Sequence, residues 1–463
     1  MSAASDTRHY DICVLGGSSG GLAVAIGAAL LGAPVALIEP GRPGADAAAE
    51  LATATLLAVT RQLAAARRLP GLATMPGPDP AGLAAHIAAT VEAAGAAHRP
   101  ERLRALGIDL IEEHGRFDGP DRVIVGSKTV TARRFVLAPP ARPLVPAIAG
   151  LDRGAFLTPD DPAALAPLPT SLAVLGAGPE ALELAQAYRR LGAAVTLVDA
   201  GDFLADRDPE LVDLLLVRLA AEGIRLRPRT PVRAIASIEG GVALDIDEPE
   251  PLQASHLLVA AGRAADLTAF GLDAAGIRVG VDGIVTDRAL KTGNPRVFAL
   301  GGDVSAASTQ AGVVLRQVLF RQRRGYDPAA VPRVVRTDPA LAEVGLDETA
   351  ARAAGSTPTI LRAPLHENDR ARAETAAHGL VKLVTDRQGR LSGAGILAPD
   401  AAEAILPWQL ALAQGLKVEA VAGLPVAFPS FADASKRAAG AFMAPKLLGA
   451  GTRRLVRWLA RLG

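Results

Sequence analysis

The chain has 463 residues, half of them hydrophobic, so it exceeds a single core and two or three domains are expected. Its formal charge of +1 gives no bulk attraction for nucleic acid, and no apolar run reaches the ~18 residues of a membrane span. The single cysteine, Cys13, excludes an intrachain disulfide, a Cys-based metal site and a thiol pair. The seven histidines lack metal-binding spacing, so no metal is expected. The start, MSAASDTRHYD, has neither the charged nor the apolar region of a signal peptide, and the expected location is the cytoplasm.

In chain order, residues 11–39, DICVLGGSSGGLAVAIGAALLGAPVALIE, read as a buried strand (12–15), a glycine-rich turn (16–21), an Ala-rich helix (22–31) and a second buried strand (35–38) ending in Glu39. This is the βαβ pattern of a dinucleotide site. Gly16, Gly17, Ser18, Ser19 and Gly21 bring backbone N–H groups to a pyrophosphate at the helix N-terminus. Glu39, 21 residues past Ser18, is placed for the ribose hydroxyls. Ser18 stands where the pattern has its middle glycine and slightly obstructs the approach of backbone to pyrophosphate. A plain structural turn is the alternative for one such match alone.

Residues 47–66 and 80–97 read as helices, with a Pro/Gly-rich loop at 70–80 and a charged helical continuation at 98–106. Short strands are expected at 107–116, 122–125 and 129–138, then a Pro-rich turn at 139–146 and a linker with a short helix at 159–168. Residues 171–199, SLAVLGAGPEALELAQAYRRLGAAVTLVD, repeat the dinucleotide pattern. Gly176 and Gly178 are intact, Ala181 takes the third position, and Asp199 follows Gly178 by 21 residues. Two such units in one chain make the dinucleotide reading the stronger one.

An amphipathic helix (209–222) and a β-rich segment (224–246) come next, then an apolar strand (257–261) running into Gly262 and Arg263. Strands at 283–286 and 296–300 follow, the latter ending in Gly301, Gly302 and Asp303. Asp303 is placed to hold a polyol hydroxyl or to cap the next helix, and capping is the commoner use. From Val331 the character becomes α+β: strand 333–336, helix 347–354, strands 380–385 and 391–396, helix 401–414 and a C-terminal helical stretch.

These residues resemble the flavoproteins of the pyridine nucleotide–disulfide oxidoreductase family, which includes dihydrolipoamide dehydrogenase, glutathione reductase and mercuric reductase. HGRF (114–117, containing Gly115) is similar to the family's flavin-side segment, and TARRFVLA, ending at Ala138, to the strand before its A-T-G turn. AGR (261–263) resembles its second domain-crossing turn, RVFALGGDV (296–304) its second flavin motif, and RTDPALAEVGL (336–346) the opening of its dimerisation domain. NDRARAE (368–374) and the chain ending look most like the mercuric-reductase branch. The resemblance implies an α/β fold of two Rossmann-like domains plus a C-terminal α+β dimerisation domain. The expected division is 1–160 and 276–328 for FAD, 161–275 for NAD(P), 329–445 for homodimerisation and 446–463 as a tail. It implies FAD on the first unit, held by Gly16, Gly17, Ser18, Ser19, Gly21, Glu39, Gly115, Ala138, Gly302 and Asp303. A nicotinamide nucleotide is implied on the second, held by Gly176, Gly178, Glu183, Asp199 and Gly262.

The departures are chemical. Counted from Glu39, the family's cysteine pair falls at Ala47 and Ala52, and its following lysine at Leu56. The A-T-G turn reads Ala138, Pro139, Pro140, and the partner subunit's acid–base motif reads Phe428, Pro429, Ser430, Phe431, Ala432, Asp433. Disulfide reduction needs a thiolate, so the expected activity is transfer of hydride from NAD(P)H to FAD and of electrons to a small-molecule, non-disulfide acceptor: a quinone, dioxygen or a second nucleotide. Glu183, matching the family glutamate beside the nicotinamide, is the candidate catalytic residue; a helix-surface acid is the alternative. With its lysine partner gone, another cation or solvent meets it, or it is a neutral carboxyl of raised pKa. Asp199 favours NADH over NADPH, because a carboxylate repels a 2′-phosphate, and Arg207 softens that preference.

The tail, RRLVRWLARL (453–462), places Leu455, Val456, Leu459 and Leu462 on one helical face and Arg454, Arg457 and Arg461 towards another. Peripheral membrane contact is one reading; a surface helix packed on its own dimer is preferred. A catalytically degenerate flavoprotein fold with a binding or scaffold role is the competing functional reading.

Overall fold

The computed structural model describes residues 7–68, 79–154, 156–161 and 167–461. The loop expected at 70–80, the centre of the 159–168 linker and Leu462 lie outside the described residues, the loop apart from its last two positions.

The apolar run Ile12, Cys13, Val14, Leu15 is fully buried because its strand, Thr7–Leu15, is central. Val35–Ile38 pairs with it on one side and Lys128–Leu137 on the other, both parallel, which is why these segments are apolar on both faces. Ile108–Ile111 extends the sheet beyond Val35–Ile38. Lys128–Leu137 has two partners on its far side. Its first half pairs antiparallel with Arg122–Val125, which Gly115–Phe117 continues. Its last residues pair parallel with Val297–Ala299. The chain thus leaves this sheet, builds a second unit and returns to close the first.

The second unit is a four-stranded parallel sheet in the order Arg225–Arg227, Ala194–Val198, Ser171–Leu175, His256–Val259. A three-stranded antiparallel meander, residues 234–254, packs beside it. The short ladder of Ala141–Pro143 with Arg263–Ala265 joins the two units. The third unit is a five-stranded antiparallel sheet in the order Arg333–Val335, Ala340–Gly345, Leu391–Ala398, Leu380–Thr385, Thr359–Pro364. Trp408, fully buried in its helical cover, anchors that core.

Several elements differ from the sequence reading. The helix expected to continue through 98–106 breaks at Arg99, which is extended (φ −61°, ψ 142°) because the following Pro100 disfavours helical geometry there. The helix resumes as Pro100–Ala105. The helix expected at 401–414 divides into Ala401–Ala404 and Leu406–Ala413, since Pro407 has no N–H for the preceding turn. The helix Ala307–Phe320 was not expected. It packs on the first helix, Ser19–Leu30, so closely that a Cβ on Gly27 would lie 2.5 Å from Leu315 Cδ1.

The long helix Ala45–Arg68 follows the first βαβ unit yet packs its buried face against the second. Leu56 and Leu57 share one apolar cluster with Leu182, Leu184, Tyr188 and Leu341. Each such leucine contributes roughly 1.5–3 kcal/mol on full burial. The helix Pro179–Leu191 is polar on one stripe only. Glu183, Gln186 and Arg190 recur at helical spacing and are all buried. That stripe docks the third unit. Arg336 N–H donates to Glu183 Oε1 (2.7 Å), Gln186 exchanges hydrogen bonds with the Asp338 backbone (2.8 and 2.9 Å), and Arg190 pairs with Asp338 (2.8 Å) and Glu222 (2.9 Å). Lys382, buried on the third sheet, adds bonds to Asp208 (2.7 Å) and Glu210 (2.9 Å). Among the described residues no helix is long and apolar enough to cross a membrane.

Candidate functional site: two dinucleotide turns

Both turns have the backbone that glycine makes. Gly16 has φ +101°, and a Cβ there would sit 2.3 Å from Ala138 O; Gly176 has φ +146°, with its Cβ 2.1 Å from Ala260 O. Each turn is therefore pressed against the end of a neighbouring strand. Ala138 itself is buried, and its carbonyl accepts from Ser18 N–H at 3.4 Å.

Ser18 caps the first helix, its Oγ accepting from Gly21 N–H at 3.5 Å. The hydroxyl thus gains a local use where the pattern has glycine. Glu39 is buried at the end of its strand, and its two oxygens accept from Gly17 N–H (2.6 Å) and Gly41 N–H (2.8 Å). Gly16, Glu39, Gly115 and Pro140 line one cavity of about 80 Å³. Pro139 and Gly302 face a separate groove of about 1120 Å³, bounded also by Arg263 and Gln310. Asp303 is exposed and caps a short helical turn, accepting from Ser305 N–H at 2.8 Å. One contact did not follow from the sequence: both carboxylate oxygens of Asp46 accept from Ser19 N–H, at 2.9 and 3.1 Å.

The second turn is open. Gly178 caps the helix Pro179–Leu191 without a side-chain bond, and a Cβ built there would meet nothing within 4 Å. Asp199 is half-buried and its Oδ1 accepts from Gly201 N–H at 2.7 Å. Gly262 has φ +108° at the crossing between units. Next to it Arg263 binds Glu180 (3.0 Å) and Asp160 (2.7 Å), tying the crossing turn to the nucleotide helix. Burial raises the Glu180 carboxyl above its usual range against the opposing pull of Arg263.

Glu183 lies one helical turn beyond Gly178 and is buried. Desolvation pushes its carboxyl up to about 7, while the hydrogen bond from Arg336 N–H and the Arg336 charge pull the other way. Arg336 also pairs with Glu50 on the long helix. Leu56, at the family's lysine position, is fully buried in the apolar cluster and offers no cation. Glu183 is met instead by the backbone N–H of Arg336 from the third unit, whose guanidinium is taken by Glu50, a partner that sequence reasoning missed; the polar stripe 183, 186, 190 was the available signal. Cys13 is fully buried, and burial pushes its thiol far above the usual range. Phe428 stands almost fully exposed where the family has histidine.

The chain thus combines two glycine-turn βαβ units of the dinucleotide-binding type with a five-stranded antiparallel sheet. Residues 10–323 match the family model for pyridine nucleotide–disulphide oxidoreductase, and residues 331–439 match that family's dimerisation domain. The chain belongs to this family of FAD-dependent oxidoreductases, without its cysteine pair, and the dimerisation domain supports a homodimer. It is 31% identical to a mercuric reductase of Streptomyces lividans (94% of this chain, 96% of that protein) and 29% identical to a dihydrolipoyl dehydrogenase of Halobacterium salinarum (93% and 95%). Its fold is similar to the crystal structure of LpdA from Mycobacterium tuberculosis, with a TM-score of 0.84, 26% identity, and 94% and 99% of the two chains covered. The same fold is seen in the HOCl-induced flavoprotein disulfide reductase RclA of Escherichia coli, with a TM-score of 0.83, 23% identity, and 93% and 99% covered.

The first turn fits the adenosine half of FAD: the cradle pressed on Ala138 leaves room for no side chain, and Glu39 is fixed by backbone. Gly16, Gly17, Ser19 and Glu39 would hold it, with the Ser19 N–H contested by Asp46.

Proposed function

We propose that this protein oxidises NAD(P)H, NADH in preference, with FAD as its redox group, and delivers the electrons to an acceptor other than a disulfide. FAD, when bound, supplies the capacity to take up a hydride and release electrons to such acceptors. The observation that carries the reading is Cys13: the chain's single thiol is fully buried at a strand centre and is held protonated, so no residue can serve a thiol–disulfide step. In support, the second turn has open space at Gly178, and Asp199 is placed for ribose hydroxyls. Glu183 is assigned as the group that holds or yields a proton behind that turn near neutral pH.

An anaerobic titration of the FAD-saturated protein with NADH tests this. Flavin absorbance is expected to bleach without a thiolate–flavin charge-transfer band. A protein that takes up no FAD at saturating concentration sinks the reading. Asp46 favours the second reading, a degenerate flavoprotein fold that binds a nucleotide and moves no electrons, and that outcome would select it.

A quinone is the acceptor best matched to the tail. The helix Ala450–Leu459 leaves Leu455, Val456, Trp458 and Leu459 exposed opposite Arg453, Arg454 and Arg457, a basic amphipathic surface suited to an anionic bilayer. The full chain is expected to co-sediment with vesicles containing anionic lipid and to be released by salt, whereas a chain ending at residue 445 stays in solution. Equal behaviour of both chains would assign the helix to the dimer instead.

A further inference from the structure

The two turns differ in what stands on the helix N-terminus. At the second, no side chain caps the helix and the space above Gly178 is clear. At the first, the loop after Glu39 folds back, with Gly44 N–H donating to Gly17 O at 2.7 Å, and brings the start of the helix Ala45–Arg68 over the turn. Asp46, the second residue of that helix, then places both carboxylate oxygens on Ser19 N–H, 2.9 and 3.1 Å away. Ser19 Oγ beside it is buried without a hydrogen-bond partner. A helix N-terminus favours an anion, and a dinucleotide seats its pyrophosphate there. In this chain the anion at that seat is the protein's own.

We propose that Asp46 is a built-in competitor for the pyrophosphate of the first dinucleotide site, so that FAD is held weakly and exchanges with solution instead of remaining as a tightly bound prosthetic group. The inference rests on the FAD reading above. A pyrophosphate and the Asp46 carboxylate cannot both accept from the same N–H, and at that separation two anions repel. FAD therefore enters only when Asp46 swings out, and its apparent affinity falls by the fraction of time the carboxylate is seated. The adenosine end is not subject to this competition, since Glu39 is already oriented by Gly17 and Gly41.

The test is FAD affinity, read by quenching of flavin fluorescence on the stripped full-length protein. Asp46→Asn and Asp46→Thr remove the charge; Asp46→Glu keeps it. NADH affinity at the second turn serves as the control for folding, with two uncharged variants in case one fails it. The expected result is weak FAD binding in the wild type and in Asp46→Glu, at least tenfold tighter binding in Asp46→Asn and Asp46→Thr, and unchanged NADH binding throughout. FAD binding that is tight in the wild type and the same in every variant overturns the inference and leaves the FAD reading standing. No binding by the wild type or any variant at saturating FAD overturns both.

Discussion

Gly178→Val is expected to weaken NADH binding by roughly 100-fold or more, about 2.7 kcal/mol, while leaving the fold and its thermal stability nearly unchanged. Gly178 has φ −85° and ψ 178°, extended geometry that valine adopts without strain, and its Cβ would meet no protein atom within 4 Å. The open space has one evident use, since the middle glycine of such a turn lets backbone N–H groups approach a pyrophosphate. Gly176→Val is the contrast: with φ +146° and a Cβ 2.1 Å from Ala260 O, it should disrupt the unit itself. Isothermal titration with NADH beside a melting curve separates the two. Wild-type affinity in a folded Gly178→Val protein would show that no pyrophosphate sits on this turn.

The wild type is expected to lose about 3 kcal/mol of stability, relative to Glu183→Gln, as pH rises from about 4.5 to about 7. Burial raises the folded-state pKa of Glu183 to about 7, against 4.5 in the unfolded chain. Within that window the folded state keeps a proton that the unfolded state has lost, so stability is full below the unfolded pKa, falls as pH rises and is level above the folded pKa. Glutamine cannot titrate, and its oxygen can still accept from Arg336 N–H. Urea unfolding of both proteins across the window isolates this group, because every other titrating residue is common to the pair. Parallel pH curves would mean that Glu183 is ionised in the fold, and its assignment as a proton-holding group would fall with them.

The elements that could be read from sequence are those whose signal is local. The strand at 12–15 and the turn at 16–21 announce themselves through an apolar run and glycine spacing, and residues 171–199 repeat both. Thr359–Pro364 escaped because it carries a proline and lies beside polar turns, and Ala307–Phe320 because its apolar stripe is diluted by Ser, Thr, Gln and Gly. Arg336 looked like part of a motif, and only its backbone N–H against Glu183, 153 residues away, makes it a partner of the nucleotide helix. Asp46 read as an ordinary acid near a helix start, a common place for one.

The sequence by itself determined the two βαβ units, the acids that end their second strands and the absence of a cysteine pair, because glycine geometry, strand periodicity and cysteine count act within a few residues or need no structure at all. The tertiary structure alone decided that Asp46 sits on Ser19, that the helix Ala45–Arg68 packs against the second unit, and that the backbone N–H of Arg336 meets Glu183. Those contacts join residues 27 to 153 positions apart. They depend on where loops return the chain and on which apolar faces meet, quantities that no local pattern contains.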